Sequence, residues 1–219
     1  MTQRDLRQQE IVPPEALARV QATVIGVGAI GRQVALQLAA VGPAALQLVD
    51  YDIVETVNLA SQGYRERDLG ESKAEATARL AAELNANVII DPVIGRFRRS
   101  QTIGEVVFCC VDAIQTRKQI WEAVRDRVSL FVDGRMSAEA IRVLTAAPPA
   151  HVEHYPTTLF GAGEAYRDGC TARSTIFTAN VAAGLMIEQF TRWLRKLPID
   201  ADLQLNLLTS ELTVVDHPA

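Results

Sequence analysis

The sequence predicts an α/β fold: a doubly wound, mostly parallel sheet with helices on both faces and antiparallel strands added by its C-terminal part. Three observations predict it. Short apolar runs that read as buried strands alternate with segments of helical period, the pattern of a parallel sheet with crossover helices. A glycine-rich turn follows the first run and opens the first long helix. Two late apolar runs, beyond a proline stop, read as a hairpin joined to the sheet edge.

In chain order, the expected strands are Ala22 to Val27, Ala45 to Val49, Val88 to Ile94, Glu105 to Val111 and Ser129 to Val132. Helices are expected near Gly31 to Val41, Ser72 to Asn85 and Ile114 to Arg127. Beyond Asp133 another strand is expected over Ile141 to Ala146, then a break at Pro148-Pro149. Tyr155 to Gly169 is glycine-rich and polar without a period, as in a loop or lid. Ile176, Asn180, Ala183, Ile187, Phe190, Leu194 and Leu197 recur at spacings of three and four, so a long helix should begin near Ala172 and stop at Pro198. Leu203 to Leu208 and Leu212 to Val215 make the closing hairpin. Residues 1–219 thus read as one domain: an arm and helix over 1–19, a core that carries the glycine-rich turn over 20–135, and a lid, long helix and hairpin over 136–219.

Charge supplies exclusions. Lys and Arg number 22 against 26 Asp and Glu, a net of −4, with no block of one sign. A nucleic-acid face and a membrane-surface helix are therefore not expected. No apolar run approaches the roughly 20 residues of a bilayer span, and none follows Met1-Thr2-Gln3-Arg4-Asp5, so the expected location is cytoplasmic. The three cysteines include no C-x-x-C pair, and Cys109-Cys110 sits in an apolar run where core packing is expected. His151, His154 and His217 show no convergent spacing and read as surface residues, while Tyr51 and Trp193 read as core or interface.

Gly26-Val27-Gly28-Ala29-Ile30-Gly31 follows a strand and opens a helix, the context in which a G-x-G-x-x-G pattern carries weight. Glycines let the backbone approach a phosphate, and the N–H groups and dipole of the helix N-terminus favour negative charge. A Rossmann-like phosphate site is therefore expected, the alternative being a tight strand-helix turn with no ligand. Asp50 ends the next strand, where a carboxylate accepts hydrogen bonds from ribose hydroxyls; up to this residue NAD and ATP are equally supported.

Downstream residues favour ATP. Asp50, Asp112 and Asp133 each end an apolar run, so all three are expected at the carboxyl edge of the sheet. Each could instead cap the next helix. Several carboxylates beside a phosphate loop need a cation between them, and oxygen ligands near phosphates suit magnesium. Lys73 lies in the first turn of a helix, where the dipole opposes a cation, and so reads as a phosphate contact, the alternative being a solvated surface lysine.

With these residues in place, the sequence resembles the ThiF/MoeB family, homologues of ubiquitin-activating enzymes. The resemblance runs in order through Arg4-Asp5-Leu6-Arg7-Gln8, the glycine loop, Asp50-Tyr51-Asp52, Asn58-Leu59-Ala60-Ser61-Gln62 and Gly70-Glu71-Ser72-Lys73. It continues through Cys110-Val111-Asp112 with Arg117, and Cys170-Thr171. It implies that Asp50 holds the ribose, that Asn58 and Lys73 contact phosphates, and that Asp112 holds Mg2+. It places Asp52, Gln62 and Arg117 in the same ATP site, and sends Arg7 to the nucleotide of the other subunit of a homodimer. The implied activity is adenylation of the C-terminal Gly-Gly carboxylate of a ubiquitin-like or sulfur-carrier protein.

Cys170 reads as a thioester-forming or persulfide cysteine, beside Thr171 as the expected N-cap and Arg173, both favouring thiolate; the alternative is a packing role. Two positions depart from the family pattern: Ser61 stands where an arginine usually reaches the phosphates, and Ala113 where asparagine is common. Competing readings are an NAD-dependent oxidoreductase, a catalytically inactive nucleotide-binding partner subunit, and activation of a carboxylate on a small molecule, peptide or modified tRNA base.

Overall fold

The computed structural model describes residues 3–149, 151–160 and 174–215. Helix α1 (Pro14–Leu17) leads into β1 (Gln21–Ile25), and strands and helices then alternate through α2 (Ala29–Val41), β2 (Ala45–Asp50), α3 (Thr56–Gln62) and α4 (Lys73–Leu84). Next come β3 (Ile89–Ile94), β4 (Val106–Cys109), α5 (Ile114–Val124), β5 (Leu130–Ser137) and β6 (Ala140–Ala146). α6 (His154–Thr157), α7 (Ile176–Leu194), β7 (Asp202–Asn206) and β8 (Glu211–Val214) complete the described elements.

These strands form one sheet in the order β3-β2-β1-β4-β5-β6-β7-β8. β3, β2, β1, β4 and β5 pair in parallel, and β6, β7 and β8 are added antiparallel. The chain winds outward from β1 through β2 to β3, then crosses back to β4 on the other side of β1. That reversal opens a crevice at the carboxyl ends of β1 and β4.

Alternating side chains divide the core. Val24, Leu48, Phe108 and Val132 face one layer with Val34 and Leu38 of α2, Ala78 of α4, and Met186 and Phe190 of α7. Ile25, Val107, Cys109 and Phe131 face the other, covered by Trp121 and Val124 of α5 and Tyr155 of α6. Trp121, Phe131 and Tyr155 meet there with ring centroids 4.8–5.1 Å apart, an arrangement that favours edge-to-face contact.

The expected pattern of parallel strands, two helical layers and a closing hairpin is present, with local corrections. β3 is the sheet edge and mostly exposed, so its apolar run does not mark a buried strand. β5 continues to Ser137 and pairs with β6 from Phe131 on, so Asp133 lies inside a strand instead of ending one. α7 starts at Ile176 with Thr175 as its N-cap, not near Ala172 after Thr171. Helix α3 was not expected: it has two turns, and Asn58 is its one buried residue, so it has no apolar stripe to betray it.

Of three side-chain expectations, two shift and that for Trp193 holds. Tyr51 is exposed, with the Arg96 guanidinium 4.4 Å from its ring centroid, and is not a core residue. Trp193 packs partly buried against Phe190 at 6.2 Å. His154 is not a bare surface residue, because its Nε2 lies 3.1 Å from Oδ2 of buried Asp202, which Arg142 also grips.

Candidate functional site

The site is built from the turn after β1. Gly26 has a φ of +85°, in the left-handed region that strains any side chain, and a β-carbon there would lie 2.9 Å from the Cys110 carbonyl oxygen. Gly31, in the first turn of α2, has no room either, since a β-carbon would collide with the Gly26 carbonyl. Gly28, the N-cap of α2, is different. Its φ of −74° is not left-handed, but its ψ of −144° lies outside the α and extended regions, and a β-carbon would meet only Gln62 Oε1 at 3.8 Å. Two glycines are thus demanded by the turn, while the third leaves open space beside the helix N-terminus, where anions bind.

Asp50, at the end of β2, braces this loop. Its Oδ2 accepts the Val27 N–H at 2.7 Å, and its Oδ1 accepts the Asp52 N–H at 2.8 Å. Burial raises its pKa above the ordinary carboxylate value, and those two N–H donors oppose the rise.

The segment after Asp50 delivers the next residues. Backbone bonds Val54 N–H to Glu71 O (2.9 Å) and Lys73 N–H to Asp52 O (3.0 Å) tie the start of α4 to the end of β2. Lys73, the first residue of α4, is therefore drawn to the sheet rim, with its side chain 8% exposed and its Nζ 3.2 Å from Asp52 Oδ2. Helix α3 lies between. Asn58 is buried and uses its Oδ1 to accept the Glu55 N–H at 2.9 Å, which leaves its NH2 as donor. Gln62 Oε1 is buried near Gly28 without a hydrogen-bond partner among the described residues.

Asp112 lies on the other side of the crevice, between β4 and α5, as an exposed carboxylate. It adjoins Cys110 and Val111, whose backbone touches Gly26. Asp133 does not join it. Fully buried in β5, Asp133 contacts Arg117 through Oδ1 and accepts from Arg135 Nε (2.8 Å) and Tyr155 Oη (2.9 Å) through Oδ2. The expected rim of three carboxylates is thus reduced, because Asp133 is consumed by an internal charge cluster, while Asp50 accepts one backbone amide on each oxygen and keeps a lone pair on each. Arg117, also buried, donates to the Gly134 carbonyl at 3.2 Å and belongs to that cluster. Among the described residues no group of three or more His, Cys, Asp or Glu side chains converges as a metal site. Asp112 alone still fits magnesium, which commonly binds one or two carboxylates with phosphate oxygens and water completing its shell.

Arg7 is exposed and remote from the loop. Gln8 beside it donates to the Val41 carbonyl at the C-terminal end of α2, about 20 Å from Gly28 at ~1.5 Å per helical residue. Cys170 lies outside the described residues.

Arg32 and Tyr64 escaped the sequence reading. Arg32 is fully buried behind the loop, donating to Thr77 Oγ1 (3.2 Å) and the Gly63 carbonyl (3.0 Å), with its guanidinium 4.1 Å from the Tyr64 ring centroid. Tyr64 Oη donates to the Val27 carbonyl at 2.6 Å. The Val27 residue is thereby held on both sides, its N–H by Asp50 and its carbonyl by Tyr64. An arginine immediately after the third glycine was the available signal.

The model described as the ThiF family matches residues 4–216. The Caenorhabditis elegans ubiquitin-like modifier-activating enzyme 5 is 27% identical over 204 residues, covering 82% of this chain and 49% of that protein. The SAMP-activating enzyme E1 of Haloferax volcanii is 38% identical over 100 residues, 44% of this chain and 37% of that one. The chain spans about half the length, or less, of the curated relatives it matches. A crystal structure of E. coli MccB with MccA-N7isoASN shares the fold, with a TM-score of 0.78 at 15% identity over 99% of this chain and 72% of that one.

Proposed function

The chain belongs to the ThiF family, and from that premise we propose that it uses ATP and magnesium to adenylate the C-terminal carboxylate of a ubiquitin-like or sulfur-carrier protein. The observation that carries this reading is the gathering of the glycine turn, Asp50, buried Lys73 and exposed Asp112 around one crevice where the strand order reverses. The names of the matched relatives, a ubiquitin-like modifier-activating enzyme and a SAMP-activating enzyme, support the class of acceptor.

In this reading Gly26, Gly28 and Gly31 let the loop amides approach the phosphates, and Asp50 receives the ribose. Asn58, Gln62 and Lys73 line the triphosphate side, with Asp52 holding Lys73 in place until the nucleotide arrives. Asp112 would hold magnesium, which spreads charge on pyrophosphate when bound. Arg117 positions the β4–α5 turn through Asp133. The acceptor carboxylate attacks the α-phosphorus, and the bond from that phosphorus to the bridging oxygen breaks, releasing pyrophosphate. A carboxylate is already ionised at neutral pH, so no general base is required. Positioning and charge stabilisation supply the catalysis.

Arg7, at the far end of α2 from its own loop, fits a homodimer in which it serves the partner's nucleotide. Cys170 is proposed to receive the acyl group after adenylation, its thiolate attacking the acyl carbon as the bond to the AMP oxygen breaks and AMP leaves. An oxidoreductase reading shares the loop and Asp50 but gives Lys73 and Asp112 no task.

Exchange of labelled pyrophosphate into ATP tests the proposal. Exchange is expected with a ubiquitin-like or sulfur-carrier protein ending in Gly-Gly and not with the same protein lacking that tail. Equal exchange with both acceptors counts against the assigned acceptor.

A further inference from the structure

Arg32 carries a charge that no carboxylate among the described residues pairs with directly, Asp68 acting on it only across space. It is fully buried, and each partner its guanidinium finds is neutral: the Thr77 hydroxyl, the Gly63 carbonyl and the face of Tyr64. Its Nε is buried without a hydrogen-bond partner among the described residues. The carboxylates on adjoining segments are engaged elsewhere, Asp50 by the Val27 and Asp52 amides and Asp68 by Arg65 and Arg79. Its position in the first turn of α2 adds the repulsion of the helix dipole. An arginine cannot shed its proton to relieve either cost.

Charges placed against local preference mark function. The guanidinium lies one tyrosine ring from the glycine loop, because Tyr64, stacked on Arg32, donates to the Val27 carbonyl at 2.6 Å. A charge in this low-dielectric layer projects a stronger potential into the crevice than an exposed one does. That potential acts on each phosphate charge that the loop receives.

Resting on the nucleotide reading above, we propose that Arg32 is a specificity-determining residue that makes the loop prefer a nucleoside triphosphate to a monophosphate without touching the nucleotide. Its effect grows with the number of phosphates, and base and ribose contacts are untouched by it. A structural role alone, holding α3 and α4 against α2, affects every nucleotide alike.

Calorimetric titration of wild type, Arg32→Gln and Arg32→Lys with ATP, ADP and AMP, magnesium present throughout, separates these. Arg32→Gln is expected to weaken ATP about tenfold or more, ADP less, and AMP under about threefold. Arg32→Lys keeps the charge and is expected to keep the ATP-to-AMP preference within about threefold of wild type. Equal weakening of ATP and AMP overturns the proposal, as does loss of the preference in Arg32→Lys. Should circular dichroism show Arg32→Gln unfolded, the Arg32→Lys preference decides alone. A wild type that binds none of the three nucleotides removes the nucleotide reading itself, an outcome distinct from an even loss in the variant.

Discussion

The Val27 amide donates to Asp50 Oδ2 at 2.7 Å in a buried setting, so the glycine loop and the last residue of β2 form one unit. The carboxylate that is expected to meet a ribose first serves the loop that is expected to meet the phosphates. Disturbing either side is felt by the other.

Gly28 and Gly31 should separate under substitution by alanine. Gly31→Ala drives a β-carbon into the Gly26 carbonyl and is expected to cost about 3 kcal/mol or more of stability. Gly28→Ala meets only Gln62 Oε1 at 3.8 Å, so it is expected to cost only about 1–2 kcal/mol, for its unusual ψ, while weakening ATP at least about tenfold. Urea unfolding and nucleotide titration on the same samples check both; unimpaired ATP binding by Gly28→Ala would show that phosphate does not approach there.

Lys73→Ala is expected to lower pyrophosphate exchange about 100-fold or more, in line with the loss of a group that stabilises transition-state charge. Its ion pair with half-exposed Asp52 contributes little, and loss of its buried stem is expected to cost about 1–2 kcal/mol, far less than the effect on exchange. A large stability loss with normal exchange would make Lys73 a structural residue.

Arg7 acting in trans predicts complementation. Arg7→Ala and Lys73→Ala proteins, each impaired alone, should regain about a quarter of wild-type exchange when mixed and allowed to reassort, because half the dimers then carry one intact site of two. Absence of any recovery, with subunit exchange verified by native mass spectrometry, contradicts the trans assignment.

A pH-dependent prediction concerns Asp202. Burial alone would raise its pKa, but the Arg142 fork at 2.6 and 2.9 Å and the His154 contact outweigh it, and it ends below the ordinary 3.8. A lowered folded pKa means stability that is present above the unfolded value and lost as pH falls through the folded one. Arg142→Ala should therefore cost about 1–3 kcal/mol near neutral pH, and that cost should shrink on acidification below about pH 4. A cost independent of pH rules out the ion pair as its origin.

The parallel sheet was legible because its strands are continuous apolar runs and its helices long enough to show a period, as α2 and α7 do. The glycine turn was legible because Gly26 and Gly31 are sterically required there. Less visible was everything that depends on pairing across the chain. Asp133 ends an apolar run in sequence, yet β6 extends β5 past it and two arginines with Tyr155 enclose it. Tyr64 and Arg32 meet only once α2, α3 and α4 are packed, and α3 has too few buried residues to announce itself.

The central claim is that this loop, with Lys73 and Asp112, receives a triphosphate and not a nicotinamide dinucleotide. Equilibrium dialysis of the wild-type chain against labelled ATP and labelled NAD, with magnesium and again with EDTA, tests it most directly. ATP should bind, weaken at least about tenfold when EDTA removes the metal, and outcompete NAD. NAD binding in preference to ATP, or ATP binding indifferent to EDTA and to Lys73→Ala, would contradict the account.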